Sequence, residues 1–427
     1  MLLLCVLALL LIGFVMIYSA SSIVAIDEGA GAERDLVKQL GFALVGIVCA
    51  VALWKFVPYH VWGGPLLWIV WALAVALLVL VAVMGTEDLG AQRWLFIGPV
   101  GLQPSEFAKI AFVLMAARIL FDYRNGDLDV RGMLVQAALL ILVPLMFLYK
   151  TQSDLGTTLI CFMGILAVMW IGEVQLRVIV GVVVVGAVFA VAATFLIGYR
   201  SDRFAYLDPW NDGKGGYGNG YQIIHSFYAF AEGGLIGVGP GNSREKFLYL
   251  PEAETDFIFA IIGEELGLLG AVVVIALFLV FLVMGMRIVR AAPDNLGAMI
   301  AGSCTIMIVF QAFLNIGCVL GILPTTGKPL PFISSGGSSL IASFIMVGLI
   351  LSVSEGAAAP SIYEQRRADL RIIRAERSGR NNRSFAVEVP ATGNRSFVIP
   401  SGASRASAAE GSRAASAMRF SSSFPRR

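Results

Sequence analysis

The chain has 427 residues, 58% of them hydrophobic and 14% charged, with a mean hydropathy of +0.82, whereas soluble domains hold roughly 45–50% apolar and 25% charged residues. That balance excludes a soluble globular protein and predicts an all-α polytopic membrane protein. The formal net charge of +2 is unevenly placed, with Arg and Ser gathered in about the last seventy residues and the rest near balance, so no nucleic-acid footprint follows.

Five cysteines, Cys5, Cys49, Cys161, Cys304 and Cys318, fall in apolar runs without a C-x-x-C pair, which gives neither a disulfide framework nor a thiolate metal site. His60 and His225 are the only histidines, too few for a histidine metal site or a Ser-His-Asp relay. Chemistry must therefore run on carboxylates and cations.

Ten apolar runs reach the roughly 17–25 residues that cross a bilayer core: 2–24, 37–57, 62–84, 104–121, 133–149, 155–171, 174–198, 257–286, 297–322 and 332–353. The first lacks the basic n-region of a secretory leader and is too long for one, so it is expected to stay as a span. An even count puts both termini on one side. Loops on that side carry Lys55, Arg118, Arg124, Arg131, Arg177, Arg287 and Arg290, which places both ends in the cytoplasm and the large 199–255 loop outside. The expected organisation is a ten-span membrane domain, 1–355, and a disordered Arg/Ser-rich cytoplasmic tail, 356–427, either solvated or held against anionic lipid. No 20–50-residue period stands out and the halves differ in loop length, which weighs against a repeat-built transporter.

Polar constellations interrupt these runs. In "AQRWLFIGPVGLQPSEFAKIAF", Ala91 to Phe112, Pro104 suits a first helical position and Glu106 with Lys109 share a face. Either this lysine snorkels to the interface, or the pair and Arg93 before it cradle an anionic headgroup; spacing does not choose. In "YKTQSDLGTT", Asp154 suits a helix cap after Lys150. The stretch "NDGKGGYGNGY", Asn211 to Tyr221, lacks the G-K-[ST] of a phosphate loop and reads as a flexible connection. The following "QIIHSFYAFAEGGLIGVGPGNS" suits a segment at the membrane surface or dipping partly in.

The run "YLPEAETDFIFAIIGEELG", Tyr249 to Gly267, carries Asp256 at its mouth and Glu264 and Glu265 inside, where an ionisable group costs roughly 2.5–3.5 kcal/mol or more. Thr255 reads as an N-cap and Asp256 as a first-turn residue of one helix running to about Met286, so Asp256 is either a helix-start residue or a functional carboxylate. On such a helix Glu264 would stand about 12 Å further along the axis, too far for a glycosidase-like pair; both glutamates are expected to pair with other helices. "LPTTGKPLPFISSGGSS", Leu323 to Ser339, is irregular backbone that needs protein or a cavity around it. All these motifs fall at outer span ends and describe an outward cavity suited to a lipid with an anionic head.

Taken in order across ten spans, "QRWL" with "QPSEFAK", "SDLGT", "GNS" followed by "YLPEAETDFIFAIIGEELG", and "PTTGKPLPFISSGGSS" resemble the SEDS family (shape, elongation, division and sporulation) of peptidoglycan glycosyltransferases, over residues 1 to 355. The pairing of "GVGPGNS" with "YLPEAETDFIF" is more similar to the FtsW cell-division branch and its sporulation relative than to the RodA elongation branch. The sequence departs from the family's common pattern at Ser153, Glu254, Lys328 and Ser335, where Pro, His or Asn, an apolar residue and an aromatic are usual.

The resemblance implies polymerisation of lipid II into β-1,4-linked glycan with inversion. It implies Asp256 as the essential carboxylate and general base, Glu106 and Lys109 as a paired unit of the fourth span, and Lys38, Arg93 and Asp154 lining the same cavity. Undecaprenyl pyrophosphate would leave, aided by cations or by a divalent ion, Mg²⁺ or Mn²⁺. Implied partners are lipid II and the growing strand, a class B penicillin-binding protein transpeptidase and other divisome proteins, in the bacterial cytoplasmic membrane at the septum. An elongation-type polymerase of the same chemistry and a lipid II flippase stand as alternatives; a pure scaffold would not need charges converging at the outer face.

Overall fold

The computed structural model describes residues 1–88, 91–98, 100–197, 207–218 and 220–358; the expected disordered tail lies, from residue 359 on, outside the described residues. Each of the ten predicted runs is helical. In chain order these are α1 (Leu2–Asp27), α2 (Arg34–Phe56), α3 (Pro65–Met84), α4 (Pro104–Asn125) and α5 (Val130–Ala137), which a π-turn at Ala138–Leu142 joins to α6 (Val143–Gln152). Then follow α7 (Leu155–Ile171), α8 (Leu176–Ile197), the short α9 (Tyr221–Gly233), α10 (Ile258–Glu265), α11 (Gly267–Ala291), α12 (Asn295–Val319) and α13 (Gly337–Ala358). Among the described residues, seven of these segments are long and apolar enough to cross a membrane. The charged α4, the 17-residue α7 and α8 complete the set, and the chain is a multi-pass membrane protein.

Local chemistry sets the ends. Asp129, Asp154 and Asp294 cap α5, α7 and α12 by accepting the amides of Gly132, Thr157 and Gly297, each relieving a donor that the first helical turn leaves unpaired. Pro104 opens α4 and left-handed Gly126 closes it.

At the centre stands α12, with most of its residues buried against α4, α7, α11 and α13. Bilayer helices gain little from apolar contact alone, so close approach of small residues carries the packing. A β-carbon on Gly164 of α7 would come 2.9 Å from Met307, and one on Gly285 of α11 2.4 Å from Thr305. The outer helices instead show exposed Leu, Val, Ile and Phe, as lipid-facing surfaces do.

Two features depart from the sequence reading. The connection from α3 to α4 folds as an antiparallel sheet in the order β1 (Thr86–Asp88), β2 (Ala91–Ile97), β3 (Val100–Leu102), with Phe96 opposite Gly101. The eighth span is also not one helix starting at Thr255. Turns occupy the residues up to Phe257, Thr255 Oγ1 donates to Glu252 instead of capping, and left-handed Gly267 breaks the span after α10.

That break strands the last carbonyls of α10 and the first amides of α11, which a bilayer cannot solvate. The segment after α9 supplies both kinds of partner. The amides of Val238 and Gly239 donate to the carbonyls of Glu264 and Glu265 at 2.9 and 3.0 Å, and those of Leu268 and Leu269 to Gly234 and Leu235 at 2.9 and 3.2 Å. Only glycine fits the crossing, since a β-carbon on Gly237 would lie 2.2 Å from the Glu265 carbonyl oxygen.

The glycine-rich stretch after residue 210 is ordered rather than a plain flexible link. The Asp212 carboxylate accepts the amides of Lys214, Gly216, Gly218 and Gly220 at 2.8–3.1 Å, and these bonds hold its pKa down at about 2.

Two outcomes test this account. Gly237→Ala and Gly267→Ala, each at left-handed backbone with no room, are expected to cost on the order of 1–3 kcal/mol and lower the melting midpoint in detergent. Gly41→Ala on α2, which meets nothing within 4 Å, is expected to leave it unchanged. Asp212→Ala should abolish hydrogen-exchange protection of the Gly216 and Gly218 amides. Because the folded Asp212 pKa is depressed, that protection should be complete above about pH 4 and fade as pH falls towards about 2.

Candidate active site

At one end of the bundle, four ionised side chains meet in an interior none of them shares with solvent. Glu106 and Lys109 come from α4, Asp154 caps α7, and Lys328 enters from the loop between α12 and α13; each is at most 3% exposed. The Lys109 ammonium donates to Glu106 Oε2 at 2.7 Å and to Gln311 Oε1 at 2.8 Å. Lys328 Nζ donates to Glu106 Oε1 at 3.1 Å and to Asp154 Oδ2 at 2.9 Å. Asp154 also takes the Thr157 amide and hydroxyl. Two negative and two positive charges thus cancel, the condition under which a buried ion set is tolerated.

The structure therefore brings Glu106, Lys109 and Asp154 together, and turns Lys109 inward rather than towards the interface. Arg93, on β2, stands beside them: Nε and Nη2 donate to the carbonyls of Gln152 and Ser153 at 2.8 and 3.1 Å, tying the sheet to the turn that precedes Asp154. Lys38 lies apart, more than half exposed on α2, 3.1 Å from Asp35.

Asp256 is half-buried in the last turns before α10, near a helix N-terminus that favours its charge. Its carbonyl accepts from Asn315 Nδ2 at 2.7 Å, and a β-carbon on left-handed Gly327 would stand 3.2 Å from its Oδ2. Glu254, two residues earlier, fastens this turn to the facing loop by accepting the Ser335 amide at 2.9 Å. Burial, with Glu252, Asp35 and Glu28 nearby, pushes the Glu254 carboxyl up.

The loop 320–336 is re-entrant, with Leu330, Phe332 and Ile333 at most 1% exposed. Three amide side chains hold its backbone: Gln39 on the Ser334 carbonyl at 3.0 Å, Gln311 on that of Pro329 at 2.9 Å and Asn315 on that of Lys328 at 2.8 Å. Gln311 and Asn315 escaped the sequence reading, although two amides four residues apart in an apolar helix share one face and signal a polar contact inside. Lys328 registered only as a departure from the family pattern.

Glu264 and Glu265 belong to a separate cluster. Glu264 takes the Ser243 hydroxyl and the Arg244 amide, and Glu265 takes Ser19 Oγ and Lys246 Nζ. They fasten the segment after α9 to α10 and α1; Glu265 meets another helix through Ser19, as expected, whereas Glu264 bonds only to the non-helical segment.

Among the described residues no group of three or more His, Cys, Asp or Glu gathers as metal ligands, and both carboxylates of the buried set are committed to lysines. The residues at hand do not make a metal cage of their own.

Comparison with known proteins agrees with this architecture. The family model described as Cell cycle protein, FtsW/RodA/SpoVE, matches residues 1–358. A probable peptidoglycan glycosyltransferase FtsW of Trichlorobacter lovleyi is 37% identical over 83% of this chain and 92% of its own length. Stage V sporulation protein E of Bacillus subtilis is 36% identical over 82% of this chain and 94% of its own. Among solved structures, a chain of a peptidoglycan synthase complex superposes with a TM-score of 0.68 at 26% identity, covering 84% of this chain and 98% of that one. The rod shape determining protein RodA of Thermus thermophilus gives 0.61 at 27% identity, over 84% and 97%. The chain belongs to the FtsW/RodA/SpoVE family.

Proposed function

We infer that this chain is a peptidoglycan glycosyltransferase that polymerises lipid II at the outer face of the cytoplasmic membrane, in septal wall synthesis during division, a reading supported by its likeness to relatives named probable peptidoglycan glycosyltransferase FtsW. The observation that carries the mechanism is the setting of Asp256: a half-buried carboxylate beside Gly327, on a turn tied through Asn315 to a loop anchored in the buried ion set.

In this reading Asp256 accepts the proton of the acceptor GlcNAc 4-hydroxyl as that oxygen attacks the anomeric carbon of the donor MurNAc. The bond from that carbon to the phosphate oxygen breaks, and undecaprenyl pyrophosphate leaves with the electron pair. One displacement inverts the α-linked donor into a β-1,4 linkage. The leaving group departs as an anion and needs positive charge instead of an acid; Lys38 and Arg93 are the cations assigned to it. A bound Mg²⁺ or Mn²⁺ ion would supply further neutralisation of that charge. Glu106, Lys109 and Asp154 act from behind by fixing the loops.

The orientation is part of the same proposal. Lys55 with Glu355, Arg124 with Glu173, and Tyr59 with Asp294 ring the end opposite the site. That end carries the basic loops and is assigned to the cytoplasm. A class B penicillin-binding protein transpeptidase is the proposed partner, in keeping with the synthase complex among the structural neighbours.

Purified full-length protein, alone and with such a transpeptidase, should convert fluorescent lipid II into glycan ladders on a gel. Asp256→Asn, which keeps shape and loses basicity, should reduce the ladders by at least about a hundredfold, the lower end of general-base contributions, with an unchanged melting midpoint; ladders of normal intensity would remove Asp256 as the base. For orientation, a cysteine at Gly215 should react with an impermeant thiol reagent on intact cells and one at Asp127 only after permeabilisation. The reverse pattern would put the cavity on the wrong side for wall synthesis.

A further inference from the structure

The reaction scheme gives the buried cation Lys328 no task. Lys328 lies stretched along α7, where Gly156 leaves room for it: a β-carbon there would stand 2.4 Å from Lys328 Cγ. Its ammonium ends on Asp154 Oδ2 and Glu106 Oε1. Its backbone faces the other way. The Lys328 carbonyl and the Asp256 carbonyl accept from the same atom, Asn315 Nδ2, at 2.8 and 2.7 Å, and the preceding residue, Gly327, abuts the Asp256 carboxylate. One residue therefore spans from the ion set to the turn that carries Asp256.

We propose that Lys328 is a positioning residue for Asp256: its ammonium anchors the re-entrant loop to Asp154 and Glu106, and the loop backbone, through Asn315 and Gly327, holds the carboxylate where it receives the acceptor's proton. The inference rests on Asp256 being the base. The physics is that of a strut. A lysine whose stem is confined and whose three donors face two carboxylates has little freedom, so the loop cannot shift without breaking charged hydrogen bonds in an apolar interior. The shared amide passes that restraint to Asp256. Charge balance alone would need only an ammonium near Asp154 and Glu106; it would not need the carbonyl of the same residue to share a donor with Asp256.

The test is steady-state polymerisation of fluorescent lipid II by the full chain, with its transpeptidase if required, for Lys328→Met, Asn315→Ala, the double variant and Lys328→Arg. Melting midpoints are recorded for each. A displacement of about 1 Å at a reacting group costs about a hundredfold, so each single variant should lose about 10–100-fold in kcat with KM within about twofold. Because both changes cut the same strut, the double variant should fall no more than about threefold below the worse single one, and Lys328→Arg should recover most of the rate. Asn315→Ala leaves all four charges in place, so its kcat loss separates positioning from charge balance, and it serves if Lys328→Met does not fold. Wild-type kcat in a folded Lys328→Met or Asn315→Ala, or losses that multiply in the double variant, would overturn the inference. Asp256→Asn run alongside separates the two readings: an active Asp256→Asn defeats the base itself, whereas an inactive one beside an active Lys328→Met defeats only the strut.

Discussion

Two carboxylates and two ammonium groups meet buried from solvent, and this end of the bundle is organised by the need to keep that set neutral and fully bonded. Desolvating each ion costs several kcal/mol, and mutual attraction offsets this only with good geometry; losing one partner strands a charge at about 3–5 kcal/mol. Such a set is near break-even for stability but steep in its penalties, so it specifies position more than it stabilises. Glu106 and Lys109 are one helical turn apart on α4, Asp154 is pinned by the Thr157 amide, and Lys328 arrives from a loop. Three elements with no sequence proximity are thereby locked in register.

Neutral amides extend this lock to the backbone. Re-entrant loops in a membrane protein need partners for every N–H and C=O they expose, and Gln39, Gln311 and Asn315 provide them from α2 and α12. Gln311 does so while accepting from Lys109, so the ion set and the loop share a residue. Gly13 of α1 completes the seat, since a β-carbon there would lie 2.6 Å from the Phe332 carbonyl oxygen.

The ten helical runs were legible because each is an apolar stretch of bilayer length, a property of composition that packing does not alter. The Asp154 cap and the Glu106–Lys109 pair were legible because both are local, three residues apart. What escaped is non-local. The break at Gly267 is hidden because a glycine in an apolar run reads as a small helical residue; its left-handed backbone becomes affordable only once the segment after α9 supplies partners for the freed groups. Lys328 escaped for a related reason, since its two carboxylates are 222 and 174 residues away. The sheet before α4 is too short and too mixed in polarity to show a period.

The site end of the bundle thus brings together two interruptions of regular helix, the α10–α11 break and the loop 320–336, and they are resolved by different means. At the α10–α11 break, backbone bonds to backbone and glycines fill the crossing, while the Glu264 and Glu265 carboxylates fasten the segment after α9 beside it. At the re-entrant loop, backbone bonds to side chains, and each of those side chains has further obligations: Gln311 to Lys109, Asn315 to Asp256. Asp256 lies between the two, on turns that follow the segment after α9 and face the second loop. The carboxylate proposed as the base is therefore carried on irregular backbone held from both sides, which fixes a turn outside any helix in one place.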